Sequence, residues 1–158
     1  MIISTLEKTN IVFILADDMA VWAARCYGNA EIRTPSLDRM AATGVRFENF
    51  FVTIPVCSAS RASFLTGRIP SQHGVHDFLT GPVNFGTTGP RFLDGEVSYT
   101  NVLADNGWTC GLSGKWHLGK SSLPQCGFSH WFAHPGGASA YNDQNMIRDG
   151  VTEVVPGY

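Results

Sequence analysis

The sequence has little of three features that would point to particular classes of protein: charge, cysteine and long hydrophobic runs. Charged residues make up 15% of the 158 residues, and 11 lysines and arginines against 13 aspartates and glutamates leave a net charge of -2. Binding to nucleic acid or to an acidic membrane surface requires concentrated positive charge. We therefore expect a small or neutral partner and no nucleic acid.

No segment approaches the roughly 20 apolar residues of a membrane span, so we expect no membrane-spanning segment. The first residues also lack the pattern of a secretory signal, because Glu7 and Lys8 precede only a short apolar run. The chain as written is thus predicted to be cytoplasmic. A periplasmic or secreted location is the alternative if a leader has been removed.

Four cysteines are present, and they lie far apart, at Cys26, Cys57, Cys110 and Cys126. Without a C-x-x-C pair or dense spacing, we expect neither a disulfide framework nor a cysteine-rich zinc site. His73 and His76 form an isolated H-x-x-H pair, which we interpret as structural.

The first third of the chain alternates predicted strands and helices. A continuous apolar run from Ile11 to Ala16 predicts a strand buried on both faces. "TPSLDRMAATG" predicts a helix that is capped by Thr34 and ends at Gly44. Residues 45–52 are rich in β-forming side chains and predict another strand.

The remainder continues this alternation and then weakens. We predict a helix capped by Ser58 or Ser60 that ends at Gly67, a loop over 80–95, a helix over 98–106, a strand over 108–112 and a loop over 113–119. After Leu123 we expect loops and at most one short strand. The whole predicts one α/β domain with a mainly parallel or mixed sheet sandwiched by helices.

Three clusters of polar residues fall where loops at the ends of such strands meet. They are Asp17 with Asp18, Cys57 with Arg61, and Lys115 with His117. Paired carboxylates suit a hard divalent cation, a cysteine at a helix N-terminus suits a nucleophile, and a Lys–His pair suits anion binding and proton transfer. Taken singly, each cluster has a plain alternative: a polar turn, a small buried side chain or a solvated loop.

Together the clusters offer a cation site, a nucleophile and anion-binding groups, which transfer of a sulfuryl or phosphoryl group requires. A free thiol beside carboxylate ligands is an unusual pairing, because carboxylates suit hard metals and thiolates suit soft ones. The combination therefore predicts that Cys57 is chemically changed.

"CSASRASFLTGR", beginning at Cys57, resembles the sulfatase signature C-x-[PA]-S-R-x-x-x-x-T-G-R, and "GKWHLG" resembles the second sulfatase signature. The likeness extends through "NIVFILADDM", "YGNAEIRTPSLDRMAATGVRFENFF" and "GRIPSQHGV", from about Asn10 to Gly119. It is weaker in "CGFSHWF" and "YNDQNMIRDG". The chain thus resembles type I sulfatases of the alkaline-phosphatase-like superfamily.

This resemblance implies a chemistry for each cluster. Cys57 would be oxidised to formylglycine, whose hydrate attacks sulfur and later expels sulfate. Asp17, Asp18 and the modified Cys57 would bind a divalent cation, with Ca²⁺ preferred over Mg²⁺. Arg61 would hold the hydrate. Lys115 would bind sulfate oxygens, and His117 would hydrogen-bond or deprotonate the hydrate.

Two departures from the family pattern refine the prediction. Ala59 stands where the commonest form has proline, and this variant resembles targets of the radical-type anaerobic formylglycine-generating maturase, which favours a bacterial origin. The family also runs to several hundred residues. We therefore interpret residues 1–158 as the N-terminal part of a sulfatase catalytic domain that carries only the nucleophile half of the site, and we reject Asp143 and Asn145 as replacement ligands because no apolar strand precedes them.

Such a part is expected to turn over little by itself and to self-associate through uncovered apolar surface. The expected substrate is a sulfated small molecule or carbohydrate, with the loop around Phe85 and Phe92 as the visible candidate for a pocket. A phosphonate or phosphate monoester hydrolase of the same superfamily and a catalytically inactive sulfatase-like fragment are the alternatives.

Overall fold

The computed structural model describes residues 8–81, 88–138 and 141–157. They form two compact units, one up to Phe51 and the other from Val52 onward. No helix within these ranges has the length and hydrophobicity that a membrane crossing needs.

The first unit is built around helix α1, Pro35–Thr43, which packs against a short 3-10 turn at Arg25–Tyr27; a second such turn is formed by Val21–Ala23. The predicted helix is confirmed, with Pro35 at its first position and Gly44 at its end. Thr34 does not cap it with its side chain. The Thr34 hydroxyl instead accepts the Arg25 N–H (2.9 Å) and donates to Asp38 (3.1 Å), which ties the helix start to the preceding turn.

The strands predicted at residues 11–16 and 45–52 are wrong. Neither segment forms a β-ladder with any of the described residues, and their apolar side chains are exposed, with Val12 at 83% and Phe51 at 84%. A strand forms only when a neighbour takes up its N–H and C=O groups. The apolar composition of the two segments favours strands, but no β-ladder forms there among the described residues.

The second unit contains one four-stranded sheet in the order β1-β2-β3-β4. Its strands are β1, Gly111–Lys115; β2, His130–His134; β3, Gln144–Arg148; and β4, Val151–Val155. β1 and β2 are parallel, whereas β2–β3 and β3–β4 are antiparallel. The predicted α/β class with a mixed sheet is confirmed.

The sequence placed one strand of this sheet at the wrong residues and did not predict two others. The strand predicted at 108–112 begins at Gly111 and ends at Lys115, so that the first three residues of the predicted 113–119 loop are strand. The prediction of loops with at most one short strand after Leu123 missed two of the three strands there. β3 and β4 are joined by Asp149 and Gly150, both with positive φ (45° and 94°), and an Asp-Gly turn of this kind is a strong hairpin signal.

Three helices complete the second unit: α2, Cys57–Thr66; α3, Pro70–His73; and α4, Tyr99–Asp105. α2 ends at Gly67 as predicted, with φ 67°, but its N-cap is Val56 rather than a serine, so Cys57 is its first residue. The helix predicted over 98–106 is confirmed as α4, and it is capped by Ser98, whose hydroxyl accepts the Asn101 N–H (3.1 Å). α3 was not predicted. In the predicted loop at 80–95, residues 82–87, including Phe85, lie outside the described residues.

The core of the second unit joins α2 to the sheet. The inward side of α2 contributes Ala59, Ala62 and Leu65, and the sheet side is dominated by aromatic rings. The ring of Trp116 lies 5.1 Å from that of Trp131 and 6.3 Å from that of Phe128, in edge-to-face arrangements. Such pairs are stabilising beyond their buried area, so this cluster anchors both α2 and the segment after β1.

Gly127 fits its turn only because it has no side chain. A Cβ there would lie 2.6 Å from the Thr100 carbonyl oxygen, and φ is +77°. We expect Gly127→Ala to lower the free energy of unfolding by about 1–3 kcal/mol more than Gly74→Ala, measured by urea denaturation. Gly74 is the matched control because it has the same φ of +77° and no atom within 4 Å of the added Cβ. Equal losses for the two variants would show that the close approach at Gly127 is not a constraint.

Cys126 makes the stability of the second unit sensitive to alkaline pH. Burial raises the pKa of its thiol from 9.0 to about 11. The folded state holds the thiol proton more tightly than the unfolded chain does. The neutral Cys126 thiol therefore makes its full contribution to the free energy of unfolding below pH 9, and this contribution is lost as pH rises through 11. Urea denaturation across that range should therefore show a steeper loss of stability for the wild type than for Cys126→Ala. Parallel curves would contradict the assignment to Cys126.

Candidate active site

Cys57 is presented at the beginning of a helix that the core holds in place. Val56 is extended (φ -127°, ψ 127°), and the chain turns into α2 at Cys57. Ala59 and Ala62 are fully buried on the inward side of α2, whereas Cys57 is half-buried. The thiol therefore sits at the positive end of the α2 dipole and stays partly accessible.

His117 lies directly against Cys57. It follows β1 by two residues, is fully buried and has a left-handed backbone with φ 55°. Its Nδ1 is 3.3 Å from Cys57 Sγ, and its Nε2 is 3.0 Å from the Leu79 carbonyl oxygen. The ring of Phe78 meets the imidazole edge-on with 4.8 Å between centroids. A left-handed non-glycine residue is strained, and these contacts hold it in place.

Arg61 ties the helix that carries Cys57 to the strand that leads to His117. One turn after Cys57, its Nη1 donates to the Lys115 carbonyl oxygen over 2.7 Å. Arg61 and Lys115 are both half-buried. The second unit thus brings together Cys57, Arg61, Lys115 and His117, and their catalytic roles stay predictions.

Asp17 and Asp18, the predicted cation ligands, belong to the first unit and are exposed. Asp18 has a left-handed backbone (φ 57°) just after the apolar segment at residues 11–16. Carboxylate oxygens suit Ca²⁺ or Mg²⁺, but the unmodified Cys57 thiol does not. Across the parts of the chain that the structure describes, no three His, Cys, Asp or Glu side chains are grouped as metal ligands.

Three residues around His117 were missed by the sequence analysis as site residues. Ser58 is fully buried, with its Oγ 3.3 Å from both ring nitrogens. A Cβ on Gly137 would lie 2.5 Å from ring atoms Cε1 and Nε2. Leu79 acts through its carbonyl. Ser58 could have been noticed beside Cys57, but Leu79 and Gly137 act through backbone and space, which leave no sequence signal.

His73 has a different environment, which supports its interpretation as structural. Its Nε2 is 3.0 Å from Ser63 Oγ, and its Nδ1 accepts the Val75 N–H over 3.2 Å. Burial lowers the pKa of His73. Both ring nitrogens are thus used inside the fold, whereas His76 is exposed.

Comparison with known proteins places this constellation in a family. The Sulfatase family model matches residues 9–151, a range that contains all six predicted site residues. Human (Homo sapiens) steryl-sulfatase is 37% identical over 131 residues, covering 82% of this chain and 22% of that protein. Human arylsulfatase A is 43% identical over 110 residues, covering 70% of this chain and 21% of that protein.

Solved structures agree with these matches. BT4656 in complex with its substrate D-glucosamine-2-N,6-O-disulfate has a TM-score of 0.80 and 34% identity, over 94% of this chain and 28% of that one. Ps i-CgsB in complex with k-i-k-neocarrahexaose has a TM-score of 0.67 and 27% identity, over 80% and 28%. The chain spans about a fifth of the length of the curated relatives it matches. With both signatures, the site around Cys57 and the fold in agreement, the chain belongs to the sulfatase family.

Proposed function

We propose that this chain is the nucleophile-bearing part of a sulfuric ester hydrolase. The observation that carries the proposal is the contact of 3.3 Å between Cys57 Sγ and His117 Nδ1 at the start of α2, in a chain of the sulfatase family. Position 57 is where the signature has its reactive cysteine. His117 is within hydrogen-bonding reach of any oxygen that replaces the sulfur.

Two groups are implied besides the residues themselves. A formylglycine at position 57 supplies an oxygen nucleophile in its hydrated form and a route for sulfate to leave. A divalent cation, for which we propose Ca²⁺ rather than Mg²⁺, is to be held by Asp17, Asp18 and the oxygen at position 57. Ca²⁺ takes about six to eight oxygen ligands, so these residues supply part of its coordination.

His117, Lys115 and Arg61 each have a separate role in the proposed reaction. His117 accepts a proton at Nδ1 from the group at position 57. Lys115 brings a positive charge to the sulfate oxygens, where negative charge accumulates during transfer. Arg61 acts through the Lys115 carbonyl, which keeps the end of β1 beside α2, and we propose its guanidinium as the group that holds the hydrate.

The relatives support a sulfated substrate. BT4656 was solved with a disulfated glucosamine as its substrate, and the curated relatives are named as steryl- and arylsulfatases. We propose a sulfated small molecule or carbohydrate for this protein as well.

The burial of α2 bears on the maturation step. Ser58 and Ala59 are fully buried in the folded unit, so a modifying enzyme has to reach Cys57 before α2 packs. We propose a maturase of the anaerobic radical type and a bacterial origin, because Ala59 replaces the usual proline of the motif. Self-association through exposed apolar residues such as Val12 and Phe51 and a cytoplasmic location remain parts of the proposal.

Oxidation of Cys57 is the direct test of the proposed function. The peptide that contains Cys57, from protein purified from its native host, should carry an aldehyde in place of the thiol by mass spectrometry. The same protein should hydrolyse an aryl sulfate in preference to an aryl phosphonate, and Cys57→Ala should abolish the activity while Cys26→Ala retains it. A free thiol with no turnover favours the inactive alternative, and preference for the phosphonate favours a phosphonate hydrolase.

Lys115 should matter through its charge. We expect Lys115→Ala to lower kcat/KM for an aryl sulfate by about a hundredfold, since a preorganised group that stabilises developing charge contributes roughly that much. Lys120→Ala is the matched control because Lys120 is a half-buried lysine just beyond the same motif. Steady-state kinetics on both variants of the full-length protein test this prediction, and equal values of kcat/KM would remove Lys115 from the proposed mechanism.

A further inference from the structure

The peptide group of Leu79 is bound on both sides by residues of the site. Its N–H donates to Ser58 Oγ over 3.1 Å, and its carbonyl oxygen is 3.0 Å from His117 Nε2. Ser58 follows Cys57 in α2 and is fully buried. A short chain of contacts therefore runs from the residue after Cys57, through one peptide group, to the far nitrogen of His117.

The Leu79 carbonyl determines which nitrogen of His117 carries the proton. A carbonyl oxygen can only accept a hydrogen bond, so Nε2 has to donate. In a neutral imidazole with its proton on Nε2, Nδ1 is an acceptor. Nδ1 is the atom that lies 3.3 Å from Cys57 Sγ. The contact with Leu79 thus leaves a lone pair directed at position 57.

Ser58 acts on this arrangement through Leu79. Its Oγ is equally far, 3.3 Å, from Nδ1 and Nε2. The two ring nitrogens point in different directions, so one hydroxyl cannot form an aligned bond with both. The Ser58 oxygen accepts the Leu79 N–H. Because Nε2 donates to the Leu79 carbonyl, Nδ1 is the ring nitrogen that can accept the proton of the Ser58 hydroxyl, and both contacts of Ser58 favour the proton on Nε2. Beside Cε1 and Nε2 of the same ring, Gly137 leaves no room for even a methyl group, which restricts rotation of the imidazole.

We propose that Ser58 is a positioning residue that, by holding the Leu79 peptide, keeps the His117 proton on Nε2 and the Nδ1 lone pair facing position 57. The inference deepens the proposed function and rests on it for its catalytic consequence. Its structural part, the state of the His117 ring, can be measured without any turnover.

Ser63 and His73 provide a matched comparison within the same unit. Ser63 is also in α2, and its Oγ is 3.0 Å from His73 Nε2. There Nδ1 accepts the Val75 N–H, and within the described part of the chain neither side chain is hydrogen-bonded to Cys57. Ser63→Ala therefore removes a serine–histidine contact from the same helix without disturbing His117.

The test uses protein labelled with nitrogen-15 in its histidines, as wild type, Ser58→Ala, Ser58→Thr and Ser63→Ala. Ring-nitrogen chemical shifts at a pH where His117 is neutral should show the proton on Nε2 in the wild type and a mixture of both forms in Ser58→Ala. Ser63→Ala should match the wild type at His117. Ser58→Thr, which keeps the hydroxyl, should restore the Nε2-protonated form.

Kinetics with an aryl sulfate give the second readout. Rates are expressed per mole of aldehyde at residue 57, because a variant that is matured less completely would otherwise look less active. On this basis Ser58→Ala should lower kcat by about tenfold to a hundredfold with KM unchanged. A wild-type His117 protonated on Nδ1 overturns the inference, even if Ser58→Ala does not fold. So does a Ser58→Ala variant with unchanged tautomer and kcat, or one no different from Ser63→Ala. A full-length wild type that carries the aldehyde at residue 57 and is inactive refutes the proposed function, and the nitrogen spectra still decide the positioning role.

Discussion

The candidate active site depends on how helix α2 packs against the aromatic cluster beside β1. Ala59, Ala62 and Leu65 have small or compact side chains, and their burial brings the helix close to the layer formed by Trp116 and Trp131. Cys57 is the first residue of that helix, and His117 is the residue after Trp116. Packing therefore sets the distance between the two site residues before any contact between them is considered.

Polar interactions refine what the packing sets. The bond from Arg61 to the Lys115 carbonyl is partly buried and involves a charged donor, and such bonds contribute about 1.5–3 kcal/mol. That is enough to offset the about 1–2 kcal/mol that a left-handed backbone costs at His117. His117 can then sit at a sharp bend, with its ring turned back toward α2. A straight continuation of β1 would carry the side chain to a different place.

The sequence predicted the local features well and the non-local ones less well. The ends of α1, α2 and α4 follow from Pro35, Gly44, Gly67 and Ser98, whose effects act within one turn. Whether residues 11–16 form a strand depends on a partner elsewhere, and composition does not reveal it. The β3–β4 hairpin could have been predicted from Asp149 and Gly150, because the signal is local and was overlooked.

In the site too, the local features were predicted from the sequence and the non-local ones were not. Cys57, Arg61, Lys115 and His117 were identified because they are side chains in short motifs, and the second unit brings them together. Leu79 and Gly137 were missed because one contributes a carbonyl and the other contributes only space. Chemistry done by backbone becomes visible when the distances are known.

α2 also has to serve two conformations if Cys57 is oxidised as proposed. Five of its ten residues are Ser, Thr or Cys, which are weak helix formers, and no side chain caps its start. The helix is therefore held mainly by tertiary packing of its alanines and Leu65, and it should unwind when that packing is absent. A segment with low helical tendency remains extended and accessible in the unfolded chain, and it becomes a rigid platform for position 57 once the core forms. The small residues that allow close packing in the folded unit are thus the same ones that leave the cysteine reachable beforehand.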